Sequence, residues 1–286
     1  LNQHFVPRVY LRQWCNDDGF LIRYRRVGPP NALRLRPERE VPDGICWEKD
    51  LYSLPSNSMA NGLSGVGVER LLSTKIEQVL AGIVESVATR SGRLDTGLGD
   101  QVRWLMQTFI ARSPRTMAAL ETRVVDFVQE NDAEISRLQK RAQTAGVKGE
   151  IDQYRDERMP AVMARATLAA IADNQFLPSA GWVDGIVHVI SYAEVSRFLD
   201  VLGLDGFPTF EEPVIEWDGE GAGLVATLAL SPDQLALVVK GEGACGWEMA
   251  LRHMAGALRF RRSAICRREA VGALWVSQAE QLMPWR

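Results

Sequence analysis

Between Val68 and Val87 apolar residues recur at three- and four-residue spacing, through Leu71, Leu72, Ile76, Val79, Leu80, Ile83 and Val84. A stripe of that period is one buried face of an amphipathic helix. Val102, Leu105, Met106, Phe109 and Ile110 repeat the pattern and predict a second helix. Ser113-Pro114 is a cap followed by a first-turn proline, so a third helix is predicted through Met117, Leu120, Val124 and Phe127. Residues 130–158 are strongly charged and nearly devoid of large apolar side chains, which predicts an exposed helix or a mobile connection. Two more helices are predicted over 160–173 and 181–202.

The ends of the chain read differently. Val6-Pro7 followed by Val9, Tyr10 and Trp14 on one face predicts a short helix with proline at its start. Turn residues at 16–19 and 28–31 bound an extended segment over 20–27 and a return strand over 33–36. Short extended pieces follow near 45–47 and 51–54, and then a Ser-, Asn- and Gly-rich loop. After Gly203, strands are predicted over 209–217, 224–230 and 234–240, a helix over 247–258 and a closing strand over 273–277. The pattern predicts an α+β fold: a predominantly helical middle packed beside a small, mostly antiparallel sheet built from N- and C-terminal segments. We expect one domain over 1–286, with a β-rich part at 1–64, a helical part at 65–204 and a mixed part at 205–286.

With 46% hydrophobic and 24% charged residues the chain has the makings of a packed core rather than of a disordered segment. No apolar run approaches the ~20 residues of a membrane span, and the opening lacks the pattern of a signal peptide. Four cysteines (Cys15, Cys46, Cys245, Cys266) are far apart, with neither disulfide-scaffold nor zinc-site spacing. They read as reduced thiols, and the expected location is the cytoplasm. With three histidines a histidine-rich metal centre is nearly excluded and zinc is disfavoured; a carboxylate Mg²⁺ site stays open. No membrane partner is expected.

The net charge of −3 hides an asymmetry. Residues 1–40 carry eight arginines against four acids, and residues 252–286 carry seven against two, so both ends are basic and the middle is acidic. Such a split marks either an anion-binding surface or an internal match between packed regions.

The opening Asn2-Gln3-His4-Phe5-Val6-Pro7-Arg8-Val9-Tyr10-Leu11-Arg12-Gln13-Trp14 carries a specific pattern: histidine, aromatic, Val-Pro, Tyr-Leu, then an aromatic. It resembles the start of a large bacterial group, the domain-of-unknown-function 4238 family. Leu51-Tyr52 is similar to that family's aspartate/asparagine-x-tyrosine segment, and Arg112-Ser113-Pro114 to its helix-borne Arg-x-Pro. Thr209-Phe210-Glu211-Glu212-Pro213-Val214 sits where the family tends to read Thr-Ser-Asp-Asn-Pro-Val, with Glu211 replacing aspartate. The resemblance implies no activity.

Three residues are candidates for chemistry. His4 lies just ahead of a helix start and can serve as acid or base near neutral pH, or can simply buttress the Val6-Pro7 turn. Tyr10 can donate a proton or hydrogen-bond a ligand, or can be core with a tethered hydroxyl. Glu211, with Glu212, can pair with His4 or hold Mg²⁺, or can be an ordinary strand-edge carboxylate. For binding, period-2 alternation puts Arg23 and Arg25 on one face of their strand, and Arg34 and Arg36 on one face of the next. If those faces align, four guanidinium groups crowd together and call for an anion. The expectation is an enzyme acting on a phosphate-containing substrate, nucleic acid or nucleotide, with His4 as acid/base and these arginines and Arg112 on phosphate. The alternative is a non-catalytic binding or partner subunit that uses the basic surface or the helical middle, with a protein as a candidate partner. Phosphate-loop, nucleophile-elbow, zincin and known nucleic-acid-binding motifs are absent from the sequence.

Overall fold

The computed structural model describes residues 2–27, 34–52, 65–88, 90–144, 184–199, 203–219, 223–240, 250, 253 and 263–268. Three residues of β1 (Asn2–His4) pair with three of β4 (Trp47–Lys49) in an antiparallel ribbon. Behind Pro7 the chain turns through α1 (Arg8–Leu11) and one 3₁₀ turn, Arg12–Trp14. The hairpin of β2 (Leu21–Val27) and β3 (Arg34–Glu40) joins β11 (Ser263–Cys266) and β7 (Thr209–Phe210) in a four-stranded sheet, order β3-β2-β11-β7. As expected for this α+β chain, N- and C-terminal segments share a sheet.

A second sheet was not anticipated. It has the order β5-β6-β10-β9-β8, with β5 at Gly92–Arg93, β6 at Ile186–Ser191, β8 at Val214–Gly219, β9 at Gly223–Ser231 and β10 at Gln234–Val239. All six residues of β10 are buried, because it has neighbours on both sides and the sequence Gln-Leu-Ala-Leu-Val-Val offers apolar groups to both faces. Between the two sheets runs Tyr10. Its ring lies 4.8 Å from those of Trp14 and Phe109, and its hydroxyl donates to the Ala229 carbonyl of β9 (2.6 Å) and meets the Thr209 hydroxyl of β7 (2.7 Å). Trp14 fastens the same region by donating to the Phe207 carbonyl at 2.8 Å.

The helices are α2 (Gly65–Val87), α3 (Thr96–Arg112), α4 (Pro114–Glu130), α5 (Asp132–Thr144) and α6 (Tyr192–Leu199). The predicted stripe along α2 buries Ile76, Leu80, Ile83 and Val87. Asp95 caps α3 by accepting the Leu98 N–H at 3.0 Å, and Ser113 caps α4 by accepting that of Thr116 at 3.1 Å. Because α3 packs against α2 and against β6 and β8, even its polar residues Gln107, Thr108 and Arg112 are buried. α5 carries the exposed charge expected of the 130–158 region as far as Thr144.

Two expectations are corrected. The helix predicted over 181–202 is a strand followed by a helix, β6 and then α6. Ile186-Val187-His188-Val189-Ile190 is rich in β-branched residues, and full-length pairing with β10 outweighs the helical spacing of its apolar positions. The strand predicted over 209–217 is broken at Glu211–Pro213, where proline has no N–H for a ladder, and its halves enter different sheets. The predicted elements at 160–173 and 273–277 lie outside the described residues, as does the 247–258 helix except for Ala250 and His253.

Candidate functional site

His4, Tyr52 and Arg112 stand far apart in the chain and meet at one point. β1 ends at His4, whose side chain is half-buried, and Arg112 Nη2 donates to the His4 carbonyl. Arg112 is the last residue of α3; its own carbonyl accepts the Tyr52 hydroxyl at 2.9 Å. The Tyr52 N–H in turn donates to Gln3 Oε1, and the Arg112 guanidinium carbon lies 5.5 Å from the centre of the Tyr52 ring. Cys46 and Asp50, which bracket β4, both hold φ +57, a left-handed conformation that costs a non-glycine residue energy. The strand that faces His4 is therefore flanked at both ends by strained backbone.

The electrostatics of this node are one-sided. Arg112 is 1% exposed, and no carboxylate among the described residues pairs with it. Among the described residues its Nε and Nη1 groups have no hydrogen-bond acceptor, and neither has Nε2 of the fully buried Gln3. A buried cation without a counter-charge loses several kcal/mol of hydration that one carbonyl bond does not restore. The node can accept an anion: Nε and Nη1 of Arg112 and the Gln3 amide N–H₂ are unfilled among the described residues, and Arg112 is joined to the His4 backbone.

The other predicted residues have partners of their own. Glu211 is paired with Arg23. Tyr10 is fully buried; burial pushes its phenol far above the ordinary tyrosine range, and its hydroxyl is engaged between the two sheets. The β2–β3 hairpin brings the arginine faces together as anticipated, with Arg25 opposite Arg36 and Val27 opposite Arg34. The third pair on that face, however, is Arg23 opposite Glu38. Glu38 lies 3.6 Å from Arg25 and 3.8 Å from Arg36, and Arg23 takes Glu211. The chain thus supplies its own carboxylates to three of the four hairpin arginines; the side chain of Arg34 lies outside those described. Arg267 and Arg268 reach Asp233 and Asp205 in the same way. Among the described residues no group of three or more His, Cys, Asp or Glu side chains is placed to hold a metal.

Sequence reasoning passed over a cleft of about 310 Å³ at the α3–α4 corner. Arg115 and Arg123 of α4 form one wall, Glu212 and Glu216 the other, and Phe109, Ile110, Leu120 and Val214 contribute apolar surface. It also passed over Gln3, whose only signal was its place beside His4 in the opening motif; Arg115 and Arg123 had no signal at all.

The family described as "Protein of unknown function (DUF4238)" matches over residues 2–184. The chain belongs to this family. The match takes in Gln3, His4, Tyr52 and Arg112, so all four residues of the node lie within the DUF4238 region. Glu211 and the Glu212–Glu216 wall of the cleft lie beyond it. Neither a curated protein nor a solved structure matches the chain. No helix among the described residues is long and apolar enough to cross a membrane.

Proposed function

We propose that this protein binds a small phosphate-containing ligand of the nucleotide class, and that its phosphate is received by Arg112 and Gln3 beside His4. The observation that carries this reading is the buried Arg112 guanidinium with two unfilled N–H groups and no carboxylate partner among the described residues. Guanidinium N–H groups suit the oxygens of a phosphate or carboxylate, and a counter-charge would offset the desolvation of the cation. The node is closed, so entry requires the β1–β4 ribbon to lift. Three residue pairs on a two-stranded ribbon make that opening inexpensive.

Arg23, Arg25 and Arg36 of the hairpin have their own acids, which favours a small ligand over a nucleic-acid strand laid along a basic surface. Catalysis would rest on His4 alone, since Tyr10 is locked in the core and Glu211 is occupied by Arg23. Binding therefore asks less of the geometry than turnover, and an enzyme acting on the bound phosphate is the extension in which His4 serves as acid/base. The free thiols Cys15, Cys46 and Cys266 agree with a cytoplasmic location.

The test is a calorimetric titration with pyrophosphate and with adenosine monophosphate at 50 and 200 mM salt, on the wild type and on Arg112→Met. Saturable binding that the variant loses supports the proposal. No binding of either compound to the wild type, or equal binding to the variant, refutes it.

A further inference from the structure

The cleft at the α3–α4 corner shares no residue with the His4–Arg112 node and has an ion balance of its own. Glu212 and Glu216 on one wall each have an interaction partner. Arg115 and Arg123 on the facing wall form no ion pair with any described residue, although ten other described arginines do. The charged groups in the cleft without a partner among the described residues are therefore the two guanidiniums. Eight residues of helix separate the two arginines, a rise of roughly 12 Å, so they stand toward opposite ends of the cleft. Phe109 and Leu120 supply apolar surface between them, and the volume of about 310 Å³ is that of a small organic molecule.

We infer that this cleft is a second, open binding site, for an organic anion with an aromatic or aliphatic body. Its acidic group is held by Arg115 or Arg123, and its body lies on Phe109 and Leu120. The helix start contributes the Ser113 and Thr116 hydroxyls, which bond to each other at 3.0 Å and can turn toward an anion. The apolar surface separates this site from a simple phosphate receptor: an anion without a body forgoes the apolar contact. The shared chemistry is the anionic group, and a phosphate ester and a carboxylate are distinguished by the choice of probe.

The test uses the full chain and four probes: phenyl phosphate, phenylacetate, inorganic phosphate and the cation benzamidine. Chemical-shift changes or calorimetry should give saturable binding of phenyl phosphate or phenylacetate, the tighter of the two naming the acid. Inorganic phosphate should bind at least tenfold more weakly, and benzamidine not at all. Arg115→Ala/Arg123→Ala should weaken the better probe at least tenfold. Leu120→Trp, which fills the cleft and keeps both arginines, should do the same with unchanged folding. The inference is overturned if neither aromatic anion binds, if benzamidine binds as well as they do, or if both variants bind like the wild type. Neither variant touches the His4–Arg112 node, so the pyrophosphate titration decides that site separately.

Discussion

Lowering the pH should destabilise this fold through one residue, His253, and the size of the effect can be worked out. The imidazole is fully buried, 5.3 Å from the Phe210 ring in an edge-on arrangement. Nε2 faces the Pro208 carbonyl at 3.2 Å, which can only accept, so Nε2 carries the proton. Nδ1 then accepts from the Thr227 hydroxyl at 2.7 Å. Both nitrogens are satisfied by the neutral ring. Desolvation pushes the folded-state pKa down from 6.5 to about 4, against a smaller opposing pull from Pro208. The unfolded chain binds this proton more tightly than the folded one between those values, so stability is full above pH 6.5 and falls as the pH drops toward 4. At about 1.4 kcal/mol per tenfold change, the full window corresponds to about 3 kcal/mol. Other groups titrate in the same range, and His253→Gln isolates this one. Urea denaturation of wild type and variant at half-unit steps from pH 7.5 to 4.5 should show the wild type's advantage shrinking by about 2–3 kcal/mol. A difference that stays constant across that range would refute the assignment of a buried neutral imidazole.

Other consequences follow from the same packing. Tyr10→Phe removes the hydroxyl that ties β7 to β9 and leaves the Ala229 carbonyl without its donor; equilibrium denaturation should register a loss of about 1–3 kcal/mol. At Gly206 a Cβ would sit 2.8 Å from the Pro232 carbonyl oxygen, which already accepts the Phe207 N–H at 2.7 Å. Gly206→Ala should therefore cost about 1–3 kcal/mol, and a melting temperature equal to the wild type's would show that this close approach is absent. Asp95→Ala removes the cap of α3 and should cost about 1 kcal/mol in a thermal melt, whereas Asp95→Asn should recover most of it.

Much of the helical part was legible because one physical signal dominated it. The α2 stripe and the Ser113-Pro114 start of α4 are local patterns, and local patterns survive folding. Of the second sheet, β9, β10 and part of β8 were read as strands from the same kind of signal, but β6 and the separation into two sheets were not. Ile186–Ser191 has an apolar spacing that suits either a helix or a buried strand, and only its pairing with β10 decides between them. The break at Glu211–Pro213 was written in the proline but could not be weighed without knowing that two sheets exist.

The candidate site divides along the same line. His4 and Arg112 were singled out, and the fold joins them through a backbone carbonyl rather than through the imidazole. The alignment of arginines on the hairpin was readable from alternation; its neutralisation was not, because Glu211 comes from 188 residues away in sequence. Tyr10, Leu11 and Trp14 of the opening motif turn out to be fully buried, so much of that motif serves packing, and His4 with Gln3 is the part left for chemistry.

The account depends most on the claim that Arg112 is a buried cation, with no counter-charge among the described residues, kept at a cost to stability. The direct measurement is the unfolding free energy of the ligand-free wild type against Arg112→Met, a replacement of similar length with no charge. Removing an uncompensated buried charge is predicted to leave the variant as stable as the wild type, or up to a few kcal/mol more stable, despite the lost bond to the His4 carbonyl. A variant that loses about 3 kcal/mol or more would mean that the guanidinium is a structural strut with its charge fully matched, and the phosphate site would have no basis.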